Sequence, residues 1–172
     1  MNDLGWKIET ERLQLTPFTL DDVFFIIDLL NSEGWLRYIG DRNVKSVEQA
    51  TNYLLKGPLA SYDRWGFGLS KVSLKDGTPI GMCGLLQREQ LPAPDIGFAL
   101  LPAYAGTGYG YEISSSVIAY SKQTKLTDKL LAITLPENQP SIKLLGKLGF
   151  VYDGEIKLFP HNEKLSLYML RF

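Results

Sequence analysis

Cysteine and histidine are nearly missing from this sequence, and their scarcity excludes whole classes of protein. The single cysteine, Cys83, cannot form an internal disulfide, and with the one histidine, His161, it cannot complete a four-ligand zinc site. An excess of charge of one sign is also missing, because 18 Lys and Arg against 19 Asp and Glu leave a net charge of -1. No overall field therefore attracts nucleic acid or an anionic membrane.

Long apolar runs are missing as well. The most apolar early stretch covers residues 23–30, which is far shorter than the ~20 residues that a membrane-spanning helix needs. Residues 1–15 contain no apolar segment of the kind found in signal peptides. We therefore expect a cytoplasmic protein that does not insert into a membrane.

The composition that remains is that of an ordinary globular protein. The chain has 172 residues, of which 45% are hydrophobic and 22% charged. A chain of this length buries roughly 70% of the surface that its unfolded state exposes, so one core suffices. The sequence contains no internal repeat, low-complexity tract or long linker. We therefore expect a single domain over residues 1–172.

Hydrophobic periodicity and turn signals predict alternating strands and helices. Residues 8–17 alternate like a strand, and residues 19–30 begin with an N-cap threonine and continue at helical spacing. The capping-box sequence Ser46–Gln49 predicts a second helix that reaches about Tyr62, with a break near Gly57-Pro58. A hairpin followed by a β-α-β unit implies a mixed sheet with helices on its faces. Further strands are predicted over 67–74, 80–88, 95–101, 130–135, 150–157 and 165–171, and further helices after Gly110 and over 140–148.

The most informative segment is Ala105-Gly106-Thr107-Gly108-Tyr109-Gly110, between a predicted strand and a predicted helix. Its glycines allow successive backbone N–H groups to converge at the positive end of a helix dipole, an arrangement that binds pyrophosphate. The alternative is a strand-to-helix turn that needs glycine only for its positive φ angles. A Walker sequence is missing. A dinucleotide fingerprint is poorly matched too, because the glycine spacing differs and Asp128 precedes the next strand instead of following it.

Three segments resemble motifs of one enzyme family. Asp95–Glu112, which includes the glycine-rich sequence, is similar to the acetyl-CoA motif of the GNAT N-acetyltransferases, and Pro136–Ser141 with Lys147–Phe150 behind it resembles that family's second motif. The opening Thr10–Leu15, followed by Asp21-Asp22, is similar to the RimJ/RimL-like branch, which acetylates protein N-termini and small amines. The resemblance covers essentially the whole chain. It implies a GNAT-like α/β fold, in which helices flank a mixed, mostly antiparallel central sheet.

The resemblance also implies that acetyl-CoA binds as the acetyl donor, without a metal. Asn138 has the position of a helix N-cap as well, so we expect it to be cap and pantetheine contact together. Two positions depart from the family, since Ala105 stands where Arg or Gln is often found and Leu145 where many members have a tyrosine acid. The residues expected to bind the donor are Phe98, Ala99, Leu100, Leu101, Gly106, Thr107, Gly108, Tyr109, Gly110, Tyr111, Asn138 and Ser141.

Acetyl transfer to an amine needs a neutral amine, an oxyanion donor and a proton for the leaving thiolate. A lysine-like amine is mostly protonated at neutral pH, so a base or desolvation has to help. Asp95 and Glu89 are the candidate bases, and the alternative for both is a solvated carboxylate at a strand end. The expected oxyanion donor is a backbone N–H near Ala99 or Leu100. Without the family's tyrosine, the acid is Ser141, another nearby hydroxyl or water.

The acceptor pocket is less well defined. The resemblance places Trp35, Arg37 and Tyr38, after the first helix, at its border, with ordinary helix packing as the alternative. The prediction is an acyltransferase that moves an acetyl group from acetyl-CoA to a primary amine, on a protein N-terminus or a small molecule, by direct attack in a ternary complex. A CoA-binding module without turnover and a nucleotide-dependent oxidoreductase are the alternatives. The sequence decides neither the acceptor nor whether the chain is a monomer or a homodimer.

Overall fold

The chain folds around one mixed sheet, and the computed structural model describes residues 6–172. Residues 1–5, part of the stretch in which the sequence shows no signal peptide, lie outside the described residues. The strands are β1 Ile8–Glu9, β2 Leu13–Thr16, β3 Leu69–Leu74, β4 Pro79–Leu86, β5 Asp95–Leu100, β6 Lys129–Thr134, β7 Val151–Ile156 and β8 Leu165–Arg171. Their order across the sheet is β1-β2-β3-β4-β5-β6-β8-β7. Every neighbouring pair is antiparallel except β5 and β6, which confirms the predicted fold class.

Helices cover both faces of this sheet. The helices are α1 Val23–Leu30, α2 Glu33–Tyr38, α3 Val47–Leu54, α4 Ala60–Trp65, α5 Tyr109–Gln123 and α6 Gln139–Lys147. On one face α5 packs against β2, β4 and β5, and α6 packs beside it against β6. On the other face α1, α2 and α3 pack together, with α2 against β5. No helix within residues 6–172 is long and apolar enough to cross a membrane.

The two faces have separate apolar cores, and β5 contributes to both. Phe98 and Leu100 pack in the core under α5, whereas Ala99 and Leu101 pack in the core under α1 and α2. This division follows from the two-residue period of a strand, which sends successive side chains to opposite faces. β5 therefore lies between the two layers of helices, with side chains packed in both cores.

Side-chain caps set the starts of two helices as the sequence predicts. Ser46 Oγ accepts the Gln49 N–H at 3.2 Å, while Gln49 Oε1 accepts the Ser46 N–H at 3.1 Å, so the predicted capping box is confirmed. Thr19 caps a short 3₁₀ turn that leads into α1, with its own N–H donating to Asp22 at 2.9 Å. Both caps satisfy N–H groups that a helix start would otherwise leave unbonded.

The structure adds to or differs from the sequence prediction at three places. The strand expected over 8–17 is divided into β1 and β2 by a turn, in which the Thr10 N–H donates to the Leu13 carbonyl at 3.0 Å. The break expected near Gly57-Pro58 is confirmed, and its form is a π-helical turn over Leu55–Leu59 between α3 and α4. The wider spacing of this turn accommodates Pro58 and lets α4 continue to Trp65. α2 was missed because six residues are too few to show a helical period.

Candidate active site

β5 and β6 separate soon after they meet. Their parallel pairing places Asp95 opposite Leu131, whose N–H donates to the Pro94 carbonyl at 2.9 Å. In the described part of the chain no further β5–β6 pair follows, although β5 pairs with β4 along its whole length. The β6-facing edge of β5 therefore opens onto a gap in the sheet, closed at Asp95 and open toward Leu100.

Backbone N–H groups of β5 point into this gap at every second residue. The Pro94 carbonyl points to β6, and the Leu101 N–H donates into β4 at 2.8 Å. Because backbone groups alternate along a strand, Phe98 and Leu100 present their N–H groups to the gap. The oxyanion donor was expected near Ala99 or Leu100. Of these two N–H groups, the one on Leu100 faces the gap, because the Ala99 N–H points to β4.

The glycine-rich turn follows at the open end of the gap. Gly106 and Gly108 have φ angles of 72° and 84°, a region that costs other residues about 1–2 kcal/mol. Gly108 is also the N-cap of the 15-residue helix α5. Within residues 6–172 the N–H groups of 106–111 meet no acceptor, and they lie at the positive end of the helix dipole. The turn thus needs glycine for its backbone and also offers a row of free donors to an anion.

Sequence reasoning missed the network that ties this turn to the start of β2. Arg12 Nε donates to Glu112 Oε2 at 2.6 Å, while Thr10 Oγ1 and the Arg12 N–H donate to Glu112 Oε1 at 2.6 and 2.9 Å. Arg12 Nη1 also donates to the Thr107 carbonyl at 3.2 Å, and its guanidinium lies 4.5 Å from the centre of the Tyr109 ring. Arg12 and Glu112 both belong to recognisable motifs, but no local pattern pairs residues that are 100 positions apart.

These contacts keep Glu112 ionised. Burial raises the pKa of its carboxyl group, but hydrogen bonds from Thr10 and Arg12, with the charge of Arg12, outweigh burial and hold the pKa below its usual value. The carboxylate in the first turn of α5 is therefore paired with the Arg12 guanidinium. An anion that binds at the N-terminus of α5 would therefore meet a carboxylate whose charge is already balanced by Arg12.

The first turn of α6 lies across the gap from β5. Asn138 Oδ1 accepts the Ser141 N–H at 3.2 Å, so the expected N-cap is confirmed, and the Asn138 Nδ2 group still has two N–H donors to offer. Ser141 is half-buried beside it. Leu145, at the position of the family's tyrosine, is buried in the core under α5 and α6 and has no proton to give.

Asp95 lies at the closed end of the gap in a buried ion pair. Arg88 Nε donates to both carboxylate oxygens, at 3.0 and 3.1 Å. Burial raises the pKa of Asp95, and the charge of Arg88 opposes that rise. At a rise of about 3.3 Å per residue, Asp95 lies about 10 Å from Phe98 along β5. Its ion pair with Arg88 therefore joins the start of β5 to the segment after β4, at the closed end of the gap.

The strand predicted over 80–88 is shorter than expected, so Glu89, expected at its end, is not on a strand. β4 ends at Leu86, and Glu89 is exposed in the turn that leads back to β5. The Pro-containing segment that follows, with Leu91 and Ala93 buried, packs against Leu131 instead of extending β4. Glu89 and Asp95 thus both lie at the closed end of the gap.

The three residues expected at the acceptor pocket share the short helix α2. Trp35 is buried in the core under α1 and α2, which also contains Ala99 and Leu101, and its indole N–H has no partner in the described residues. Arg37 is exposed, with its guanidinium 5.0 Å from the centre of the Tyr38 ring. α2 thus approaches β5 from the face opposite α5.

Cys83 is unsuited to act as a nucleophile. It is fully buried on β4, and burial raises the pKa of its thiol to about 12. The attacking form of cysteine is the thiolate, which is scarce at neutral pH when the pKa is so high. Its position among apolar side chains agrees with a packing role.

Comparisons with known proteins agree with this geometry. The chain matches the acetyltransferase (GNAT) domain family over residues 12–151. The uncharacterized N-acetyltransferase YoaA of Bacillus subtilis (strain 168) is 28% identical over 160 residues, which cover 90% of this chain and 88% of that protein.

Solved structures show the same fold at lower identity. The ribosomal-protein-S5-alanine acetyltransferase from Vibrio fischeri superposes with a TM-score of 0.79 at 21% identity and covers 96% of each chain. RimL, a ribosomal L7/L12 alpha-N-protein acetyltransferase in complex with coenzyme A, has a TM-score of 0.83 at 15% identity and covers 96% of this chain and 97% of that chain. With the family match extending over most of its length, the chain belongs to the GNAT family of acetyltransferases.

Proposed function

We propose that this acetyltransferase moves the acetyl group of acetyl-CoA to a primary amine by direct attack, within one domain that spans the chain. The observation that carries the proposal is the gap between β5 and β6, which opens beside the free N–H groups of the glycine-rich turn. An unpaired strand edge binds an extended, amide-containing ligand as it would bind another strand. The pantetheine arm of CoA is such a ligand, and its pyrophosphate suits the turn.

The donor-binding residues lie along one path. The turn Gly106–Tyr111 supplies N–H groups for the pyrophosphate, and Phe98 and Leu100 supply the edge of the gap. Asn138 and Ser141 supply polar groups on the other side of the gap. RimL in complex with coenzyme A and MccE in complex with acetyl-CoA and AMP share this fold, which supports a donor site of the same kind here.

We place the acceptor on the opposite face of the sheet. In this proposal acetyl-CoA lies under α5 and α6. The face that α2 covers is then the one from which an amine can reach the thioester without crossing acetyl-CoA. Trp35, Arg37 and Tyr38 would border its entry, since α2 contacts β5 there. Both substrates are then bound at once, as direct attack requires.

The reaction balances without a covalent enzyme intermediate. The amine nitrogen attacks the thioester carbon, the C–N bond forms, the C–S bond breaks, and a proton passes from the amine while the thiolate gains one. A backbone N–H of Phe98 or Leu100 would stabilise the oxyanion. Ser141 or a water molecule would protonate the thiolate. Asp95 or Glu89 would take the amine proton. Since both lie at the closed end of the gap, and Asp95 is about 10 Å from Phe98, the proton would have to pass through water.

For the acceptor we propose the amine of a protein N-terminus or of a small molecule. The structural neighbours named as acetyltransferases of ribosomal-protein alanine, ribosomal-protein serine and the L7/L12 α-amino group favour an N-terminal amine. α2 presents no carboxylate cluster that would select a polyamine, since Glu33 is its one acidic residue.

The test is thiol release from acetyl-CoA, with the product identified by mass spectrometry. Peptides that begin with Ala or Ser, and a set of small primary amines, serve as acceptors, and the same peptides with blocked N-termini are the matched controls. We expect one equivalent of thiol for each acetylated amine and none with the blocked peptides. Tight CoA binding without thiol release for any amine would instead establish a CoA-binding module.

A further inference from the structure

The glycine-rich turn has no cation of its own. Ala105, at its start, is exposed, and residues 104–111 contain neither lysine nor arginine. Backbone N–H groups alone can bind an anion, but hydrogen bonds from a charged donor are roughly twice as strong as neutral ones. Among the hydrogen bonds of residues 6–172, the charged side chain that donates to this turn is Arg12, whose guanidinium bonds the Thr107 carbonyl.

We propose that Arg12 binds a phosphate group of CoA and so supplies the charge-assisted contact that position 105 lacks. The inference rests on the proposed function, because it assigns a residue to the same donor site. Arg12 precedes β2, far from the turn in sequence, and reaches it only because β2 packs against α5.

The free donors of Arg12 lie beside the turn. Of the five N–H groups of an arginine, one on Nε bonds Glu112 and one on Nη1 bonds the Thr107 carbonyl. The remaining three have no acceptor within residues 6–172. A Cβ atom built on Gly108 would come within 3.3 Å of Arg12 Nη2, so these donors are adjacent to the N–H groups at the start of α5.

The guanidinium is also held in place before any ligand arrives. The ion pair with Glu112 fixes one edge, and the Tyr109 ring lies against its plane at 4.5 Å. A side chain that is already oriented loses less entropy when it binds a ligand. Arg12 remains 44% exposed, however, and borders a groove of about 810 Å³. The other residues that line the groove are Glu11, Gly108, Tyr111, Glu112, Ser115 and Lys147. An ordered cation is thus open to a ligand on the outer side of the turn.

The experiment compares donors with and without phosphate in three variants. Arg12→Gln removes the charge, and Arg12→Lys keeps the charge but cannot reproduce the fork of N–H donors. Lys75→Gln is the matched control, because it removes an ion pair with Glu9 at the same end of the sheet. Calorimetry gives the affinities for CoA and for 3′-dephospho-CoA. The same acceptor, with acetyl-CoA or S-acetylpantetheine as donor, gives kcat/KM.

We expect Arg12→Gln to weaken CoA binding by about tenfold or more, and Arg12→Lys by less, because a hydrogen bond to a charged group is worth about one to two powers of ten in affinity. The kcat/KM with S-acetylpantetheine, which has no phosphate, should stay as in the wild type. A penalty that persists with dephospho-CoA assigns Arg12 to the pyrophosphate, and one that disappears assigns it to the 3′-phosphate. Lys75→Gln should change neither affinity.

Two results would overturn the inference. One is unchanged CoA affinity in a folded Arg12→Gln protein. The other is a loss of kcat/KM with S-acetylpantetheine as large as the loss with acetyl-CoA, which would show that Arg12 only holds β2 to α5. If Arg12→Gln does not fold, Arg12→Lys gives the same comparison. A wild-type protein that fails to bind CoA would refute the proposed function itself, which is a separate outcome.

Discussion

At the scale of single residues, Gly108 combines a backbone requirement with a place at the anion site. Alanine there has to adopt a φ of 84°, and its Cβ would lie 3.3 Å from Arg12 Nη2. Gly77, in the turn between β3 and β4, has a φ of 91° and open space around it, so it offers the same backbone strain away from the site. We expect Gly108→Ala and Gly77→Ala each to lower the free energy of unfolding by about 1 kcal/mol. Gly108→Ala alone should weaken CoA binding, by about tenfold or more.

Urea unfolding and calorimetry on the two variants provide the comparison. Wild-type CoA affinity in both variants would refute the assignment of the turn to pyrophosphate. A loss of affinity in Gly77→Ala as large as in Gly108→Ala would attribute the effect to general destabilisation.

Ser141 is the candidate side chain for protonating the leaving thiolate. Its hydroxyl lies in the first turn of α6, and Leu145 leaves the usual tyrosine position without a proton. We expect Ser141→Ala to lower kcat by roughly tenfold or less, since water can deliver the proton, whereas a dedicated acid is worth about 10²–10⁴. The measurement is kcat against pH for both proteins. A thousandfold loss with CoA affinity intact would identify the serine as the essential acid.

At the scale of elements, the contact between β2 and α5 depends on the charge of Glu112. Because the pKa of Glu112 is lowered in the folded state, its ionised form adds stability above the unfolded pKa of about 4.3, and that stability is lost as the pH falls through the folded pKa. Glu112→Gln should lower the free energy of unfolding at pH 7 by about 1 kcal/mol. The difference from the wild type should shrink below about pH 4 in urea unfolding at several pH values. A difference that is independent of pH would mean that the carboxylate charge does not contribute.

Elements were predictable where local signals determine them. The capping box at Ser46, the glycine-rich turn before α5 and the N-cap Asn138 each act within a few residues, and the structure confirms all three as local features. Contacts over long distances in sequence gave no such signal. The pairing of Arg12 with Glu112 depends on β2 packing against α5, a tertiary arrangement that no sequence window contains.

The candidate bases show the same limit. A sequence can place a carboxylate at the start of a strand, as it does for Asp95, but it cannot show that Arg88 covers both of its oxygens. It also cannot show that the strand before it ends at Leu86 and leaves Glu89 in an exposed turn. Charge and residue type were visible in the sequence, whereas burial and partner were not.

At the scale of the whole molecule, the two helical layers separate the approaches to β5. α5 and α6 cover the face that holds the donor in our proposal, and α1 and α2 cover the face from which the acceptor would come. In this proposal the substrates would meet at the β5–β6 gap, where direct attack needs no residue to carry the acetyl group. Initial rates should therefore give intersecting double-reciprocal lines, and the parallel lines of a ping-pong mechanism would contradict this arrangement.

Cys83 provides the chemical counterpart of that kinetic test. It is the one thiol of the chain, it is fully buried on β4, and its pKa of about 12 keeps it protonated at neutral pH. Cys83→Ala should keep the wild-type kcat while lowering the free energy of unfolding by about 1 kcal/mol, the cost of a small cavity in the core. The wild-type protein, mixed with acetyl-CoA without an acceptor, should show no added acetyl mass in an intact-protein mass spectrum. An acetyl adduct on Cys83, together with loss of activity in Cys83→Ala, would show that the acetyl group passes through the protein and that direct attack is wrong.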